Sequence, residues 1–206
     1  MMKKIAMLLM GLLLWGTLAG CGAKDSPEKP VKDYFAAVKT LNVEAMGKTV
    51  APANRGEGEL PTDLFSEETD DFSRYFEDYL KANAKKITYV IQKSQGEGDR
   101  AVVTVKAKYI DGGPLFGEIF AEAFIKLLGF AFSGSEPSEE EIQGIFGEIL
   151  TEKTKTVKDT YKEVVMEIPC VRVDGVWYLE EMTPDLVDVA VSGFLSATEA
   201  FSESFQ

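Results

Sequence analysis

The sequence predicts an α+β domain, an antiparallel sheet packed on N-terminal helices, interrupted by a helical hairpin and closed by a C-terminal helix. Three observations lead there. Apolar residues recur every three or four positions through residues 31–82 and 115–150, the period of a helix with one buried face. Residues 87–110 and 161–182 change to a period of two, the mark of half-covered strands. Each of these two stretches is broken by a glycine turn and so folds back as a hairpin, and helices segregated from hairpins describe an α+β layer.

In chain order, Val31, Tyr34, Phe35, Val38 and Leu41 stripe a first helix over 27–40. Asn42 is a cap for a short second helix over 43–50, with Glu44 in its electropositive first turn. Pro52, Gly56, Gly58 and Pro61 mark 51–62 as a loop. Thr62 or Asp63 can cap a third helix reaching Ala82, whose apolar side is Leu64, Phe65, Phe72, Tyr75, Phe76, Tyr79 and Leu80.

Ile87, Tyr89 and Ile91 then alternate with Thr88, Val90 and Gln92 as a strand, Gly96 to Asp99 turn the chain, and 101–110 return. In the returning strand Val103, Val105, Ala107 and Tyr109 share one face. Residues 114–150 form an insertion of two amphipathic helices, an αα-hairpin. In its first helix, 115–132, Leu115, Phe116, Ile119, Phe120, Ala123, Phe124, Leu127 and Leu128 make the apolar face. Its second helix opens at Ser138 with Glu141 three residues on, a capping-box pattern, and carries Ile142, Ile145, Phe146, Ile149 and Leu150.

Strand character resumes near Thr156 and is clear over 161–173, where Pro169 marks a bulge or an edge position. Asp174-Gly175 is a tight turn and 176–182 the returning strand. Thr183-Pro184-Asp185 opens one closing helix that buries Leu186, Val189, Ala190, Phe194, Leu195 and Ala197, with a fraying tail from Glu199.

The front of the chain reads differently. Lys3 and Lys4 precede an uncharged stretch from Ile5 to Gly22, the charged and apolar parts of a secretory signal. From Ile5 to Gly20 it is 16 residues, short of the roughly 20 that span a bilayer. It ends Leu18-Ala19-Gly20-Cys21, which resembles the lipobox of bacterial lipoproteins at all four positions. The resemblance implies lipid on the Cys21 thiol, cleavage before it, and an extracytoplasmic body held at the cell membrane; two or more acyl chains hold firmly where one does not. The domain plan is therefore a signal peptide at 1–20, a lipidated tether at 21–30 of small, charged and proline residues, and a single domain at 31–206.

Composition excludes several functions. The chain has 34 acidic against 22 basic side chains, and losing Lys3 and Lys4 makes the balance more acidic still. Such a surface repels nucleic acid. No histidine is present, which removes Ser-His-Asp and Cys-His catalysis and the common zinc sites. With Cys21 lipidated, Cys170 stands alone in an apolar run and reads as a small buried hydrophobe. Asp70-Asp71 and Glu139-Glu140-Glu141 lack the spacing of a calcium loop, so no metal site and no cofactor is expected. Eight lysines in or beside the strands, Lys106 and Lys162 among them, read as a solvated face rather than a polymer-binding one.

Two segments resemble nuclear transport factor two-like (cystatin-like) domains. They are Val31-Lys32-Asp33-Tyr34-Phe35-Ala36-Ala37-Val38 with Leu41-Asn42-Val43-Glu44-Ala45-Met46, and the late hairpin Val171 to Leu179 with Trp177 just after the turn glycine. The resemblance implies a curved, cystatin-like roll with a cone-shaped pocket between sheet and helices. It carries over no catalytic residue.

The sequence thus leads to a non-enzymatic module binding a small apolar ligand or an envelope protein. One alternative is an isomerase- or dehydratase-like enzyme using a pocket carboxylate with Tyr89 or Tyr109. Another is an envelope subunit docking through the insertion. Phe116, Phe120 and Phe124 are the candidate interaction surface, against their reading as plain core.

Overall fold

A helix with one apolar stripe buries that stripe against whatever layer is nearest, and the first helix, α1 (Glu28–Lys39), does so completely. Val31, Tyr34, Phe35 and Val38 are inaccessible to solvent, each such burial contributing about 1.5–3 kcal/mol. The structure, a computed structural model, describes residues 26–56 and 71–204; Cys21, the signal segment, Leu64, Phe65 and the Thr62/Asp63 cap lie outside the described residues.

After α1 come α2 (Val43–Lys48), a 3-10 turn at Pro52–Asn54 and α3 (Asp71–Ala84). Asn42 caps α2 as its side chain predicts, the Ala45 amide donating to Asn42 Oδ1 at 2.9 Å. Strands β1 (Thr88–Glu97) and β2 (Arg100–Ile110) precede the insertion helices α4 (Gly113–Ser133) and α5 (Glu139–Thr156). Strands β3 (Tyr161–Val173) and β4 (Val176–Leu179) then lead into α6 (Pro184–Ala190) and α7 (Phe194–Glu203). Sheet order is β1-β2-β3-β4, curved and antiparallel throughout, so the α+β class stands. Val103, Val105, Ala107, Met166, Ile168 and Cys170 form its buried face, against α1 and α6.

Several boundaries move for physical reasons. The first strand runs on to Glu97, because its register slips between Ile91 and Lys93 and alternation fails beyond that irregularity. The second insertion helix continues to Thr156, past Leu150 and past the point where strand character resumes in the sequence, and α5 ends in polar and lysine residues that give no periodic signal. The last strand stops at Leu179 rather than Met182. The closing helix is two helices. The chain reverses at Ser192 and Gly193, both with positive φ (55° and 78°), and α7 then folds back.

Pro169 makes no bulge: it pairs with Val102 in unbroken register. On its other side it stands one residue past the end of the β4 ladder, which closes at Cys170 and Leu179, and so holds an edge position. The Glu180 amide donates to the Pro169 carbonyl at 2.8 Å, and the reciprocal bond that proline cannot supply to the Glu180 carbonyl is donated instead by Asn54 Nδ2 at 2.7 Å.

The lysines near the strands are used locally: Lys86 pairs with Asp159, Lys106 with Glu163, and Lys162 with Asp188. Lys153 reaches both Glu118 (3.2 Å) and Glu122 (2.9 Å), tying α5 to α4. Ser138 and Glu141 close the capping box at the start of α5. No described helix is long and apolar enough to cross a membrane.

Candidate functional site

The buried face of the sheet, where the resemblance places a cone-shaped pocket, is filled. Tyr34 lies across it with its hydroxyl donating to the Leu186 carbonyl at 2.8 Å, and Leu186 and Val189 of α6 complete the packing. A pocket lies instead among the helices. It has a volume of about 530 Å³, within the roughly 300–1,000 Å³ typical of small-molecule sites. No strand residue lines it.

Each wall follows from an amphipathic helix whose stripe has nothing else to cover. From α3 come Phe72 and Phe76; from α4, Phe116, Ile119 and Phe120. Ile142, Gln143 and Phe146 of α5 face them, Val187 and Val191 form the α6 side, and Phe194, Leu195 and Thr198 come from α7. The phenyl rings hold one another edge to face. Phe194 meets Phe76 at 4.9 Å and Phe116 at 6.1 Å between centroids, and Phe146 meets Phe72 at 6.0 Å and Phe120 at 5.9 Å. Such contacts contribute about 0.5–1.5 kcal/mol each beyond area burial and fix the ring orientations.

Among the described residues no ionisable side chain lines this pocket; Gln143 and Thr198 are its described polar lining residues. That chemistry suits an uncharged apolar group with one hydrogen-bonding function, since a charge would be stripped of water with nothing to pair with.

The candidate interaction residues separate. Phe116 and Phe120 line the pocket, whereas Phe124 is 63% exposed on the outer side of α4. The expected broad core face of 115–132 is therefore corrected: Leu115, Ile119 and Ala123 are its buried members, and Leu128 is exposed. The tyrosines of the enzyme alternative are elsewhere. Tyr89 stacks on Phe35 at 4.1 Å, and Tyr109 is sealed beneath α6, donating to Asp188 Oδ2 at 2.8 Å. Burial pushes the Tyr109 hydroxyl well above its ordinary range, and the charge of Asp188 and its hydrogen bond add to the shift. A phenol held so firmly protonated against a carboxylate is a structural tie. Cys170 is buried, its thiol pushed up to about 12 by burial and by the nearby Glu180. Among the described residues no cluster of His, Cys, Asp and Glu could hold a metal.

Sequence reasoning placed most of the lining phenylalanines on apolar helix faces without bringing them together. The long-range signal was indirect: three amphipathic helices and a closing segment carry more phenylalanine than one sheet face can cover.

No family model matches the chain, and no curated protein matches it. Two solved structures are similar to it. One is ycdA of Bacillus subtilis subsp. subtilis str. 168, named as a lipoprotein, at 17% identity and TM-score 0.40 over 81% of this chain. The chain spans less than half of ycdA, 46% of its length. The other is AclR of Streptomyces galilaeus, named as a hydroxylase, at 14% identity and TM-score 0.32, covering 87% of this chain and 93% of that one.

Proposed function

We propose that this chain is a lipid-anchored extracytoplasmic binding module whose ligand is a small, uncharged apolar molecule held among the helices. The observation that carries the reading is the pocket itself: about 530 Å³, walled by phenyl rings and aliphatic side chains, with no acid or base among its described lining residues. A pocket of this kind holds a ligand by apolar burial and orients it through few polar groups, here Gln143 and Thr198. The described lining offers no group for acid–base chemistry, and the reading rests on apolar burial instead.

The anchor is Cys21, through the motif Leu18-Ala19-Gly20-Cys21. Its location fits the fold. Pro27 lies against Cys170, its carbonyl accepting from the thiol at 3.4 Å, near the Arg100 end of the sheet. The insertion leaves and returns at the opposite, Ile110–Tyr161 end. A tether on Ser26 therefore leaves the pocket helices unobstructed. Replacing Cys21 with Ala should abolish incorporation of labelled palmitate and leave the signal uncut; persistent labelling would overturn the anchor.

Binding is tested on the full-length protein by titration with N-phenylnaphthylamine, an uncharged fluorophore that brightens in apolar surroundings. Saturable one-site binding is expected, displaced by a long-chain alcohol. Leu195→Trp, which fills the pocket from α7, should weaken it about tenfold or more, while Phe124→Ser on the outer side of α4 should leave it unchanged. Binding indifferent to Leu195→Trp would refute the site.

A further inference from the structure

An apolar helix face is ordinarily buried. In α4 the pocket, α5 and α7 cover one part of the circumference, a second part is charged, and a third is apolar and exposed. At 3.6 residues per turn, Gly117, Ala121, Phe124, Ile125, Leu128 and Phe132 fall within one arc of about 100°. All six are exposed, Ile125 by 69% and Phe132 by 87%, and none carries charge. The charged arc lies beside it and is already satisfied: Glu118 and Glu122 by Lys153, Lys126 by Glu148.

Gly117 adds a separate observation. A Cβ there would meet nothing within 4 Å, so internal packing does not require a glycine, although a mid-helix glycine costs about 1 kcal/mol relative to alanine. The small residues stand at one end of the arc and the large ones at the other. We infer that two copies of this chain pair along the outer faces of their α4 helices, antiparallel, about a two-fold axis between Phe124 and Ile125. In that register Gly117 of one copy faces Phe132 of the other and Ala121 faces Leu128, small against large on both flanks, while Phe124 faces Ile125 at the axis. This is the self-complementarity that an isologous interface needs.

The area sets the strength. Four such partly exposed large side chains present on the order of 500 Å² per copy, so pairing would bury about 1,000 Å² in total, the lower bound for a specific interface. The dimer is accordingly weak in solution and gains from confinement on a membrane, where effective concentration is high.

Single cysteines in the full-length protein, treated in intact cells with a short bis-maleimide, test the register; unaltered protein, carrying Cys21 and Cys170, sets the background. Ile125→Cys, next to the axis, should give a cross-linked dimer. Phe132→Cys should not, because the two copies of residue 132 would stand about 22 Å apart along the helices. Sedimentation of the purified full-length protein in mild detergent should show concentration-dependent dimers, and Leu128→Glu should raise their dissociation constant about tenfold or more without lowering the melting temperature. A monomer at every concentration, no cross-link at Ile125→Cys, or efficient cross-linking at Phe132→Cys overturns the proposal, and none of these outcomes touches pocket binding.

Discussion

Tyr109 and Asp188 meet at 2.8 Å in the interior, where the hydroxyl of β2 donates to the carboxylate of α6. The same carboxylate accepts from the Ser196 amide at 2.9 Å, from Ser196 Oγ at 3.1 Å and from Lys162 Nζ at 3.3 Å. Only 7% of Asp188 is exposed, so the cost of burying its charge is offset by four donors from three elements. One side chain thus fastens α7 to the sheet.

Asp188→Ala should therefore cost about 3 kcal/mol, because it strands the Tyr109 hydroxyl and releases the start of α7. Tyr109→Phe, which leaves three donors on the carboxylate, should cost only about 1–2 kcal/mol. Urea denaturation followed by circular dichroism checks both; equal losses would mean the carboxylate does not hold α7.

Alkaline pH should unfold the protein through its buried phenols. Burial raises the Tyr34 hydroxyl well above its ordinary 10.0 and does the same to Tyr109. The folded state holds these protons more tightly than the unfolded chain, so their contribution is whole below pH 10 and declines as pH rises beyond it. Each adds a slope of about 1.4 kcal/mol per pH unit. Tyr34→Phe should lower stability by about 1 kcal/mol at neutral pH through the lost bond to Leu186 and remove one proton from the alkaline slope. An unchanged slope between pH 10 and 11 would contradict the assignment.

Two glycines should respond oppositely to alanine. A Cβ on Gly112 would lie 2.3 Å from the Phe194 ring and 2.7 Å from the Ser192 carbonyl, so Gly112→Ala should destabilise by about 2–3 kcal/mol. Gly144, on α5, has open space, and Gly144→Ala should stabilise by about 0.5–1 kcal/mol. Thermal melts of the two variants are the measurement.

Local chemistry made much of this fold legible. Asn42, the Ser138–Glu141 box, Asp174-Gly175 and Thr183 act through neighbours within four residues, and each does what its side chain predicts. What escaped was decided by distant partners. Nothing around Pro169 announces that Asn54, more than a hundred residues earlier, will supply the bond proline lacks. Ser192-Gly193 is a turn signal masked by the apolar stripe that runs on through it, and the break is fixed by distant groups: Gly112 donates to the Ser192 carbonyl at 2.7 Å and Phe194 reaches Phe76. The pocket escaped for a similar reason: periodicity assigns Phe116, Phe120 and Phe124 to one face, and only the placement of α5 and α7 divides them.

Because no described strand residue lines the cavity, its shape is uncoupled from the strand ladder. Small slides of α4, α5 and α7 past one another can widen or narrow it while every interstrand bond stays intact. Amides of β2 and β3 should then resist exchange with solvent far longer than those of the surrounding helices. Opening the cavity to admit a guest would leave the sheet undisturbed, and the energy needed would be that of shifting phenyl rings rather than of unfolding the protein.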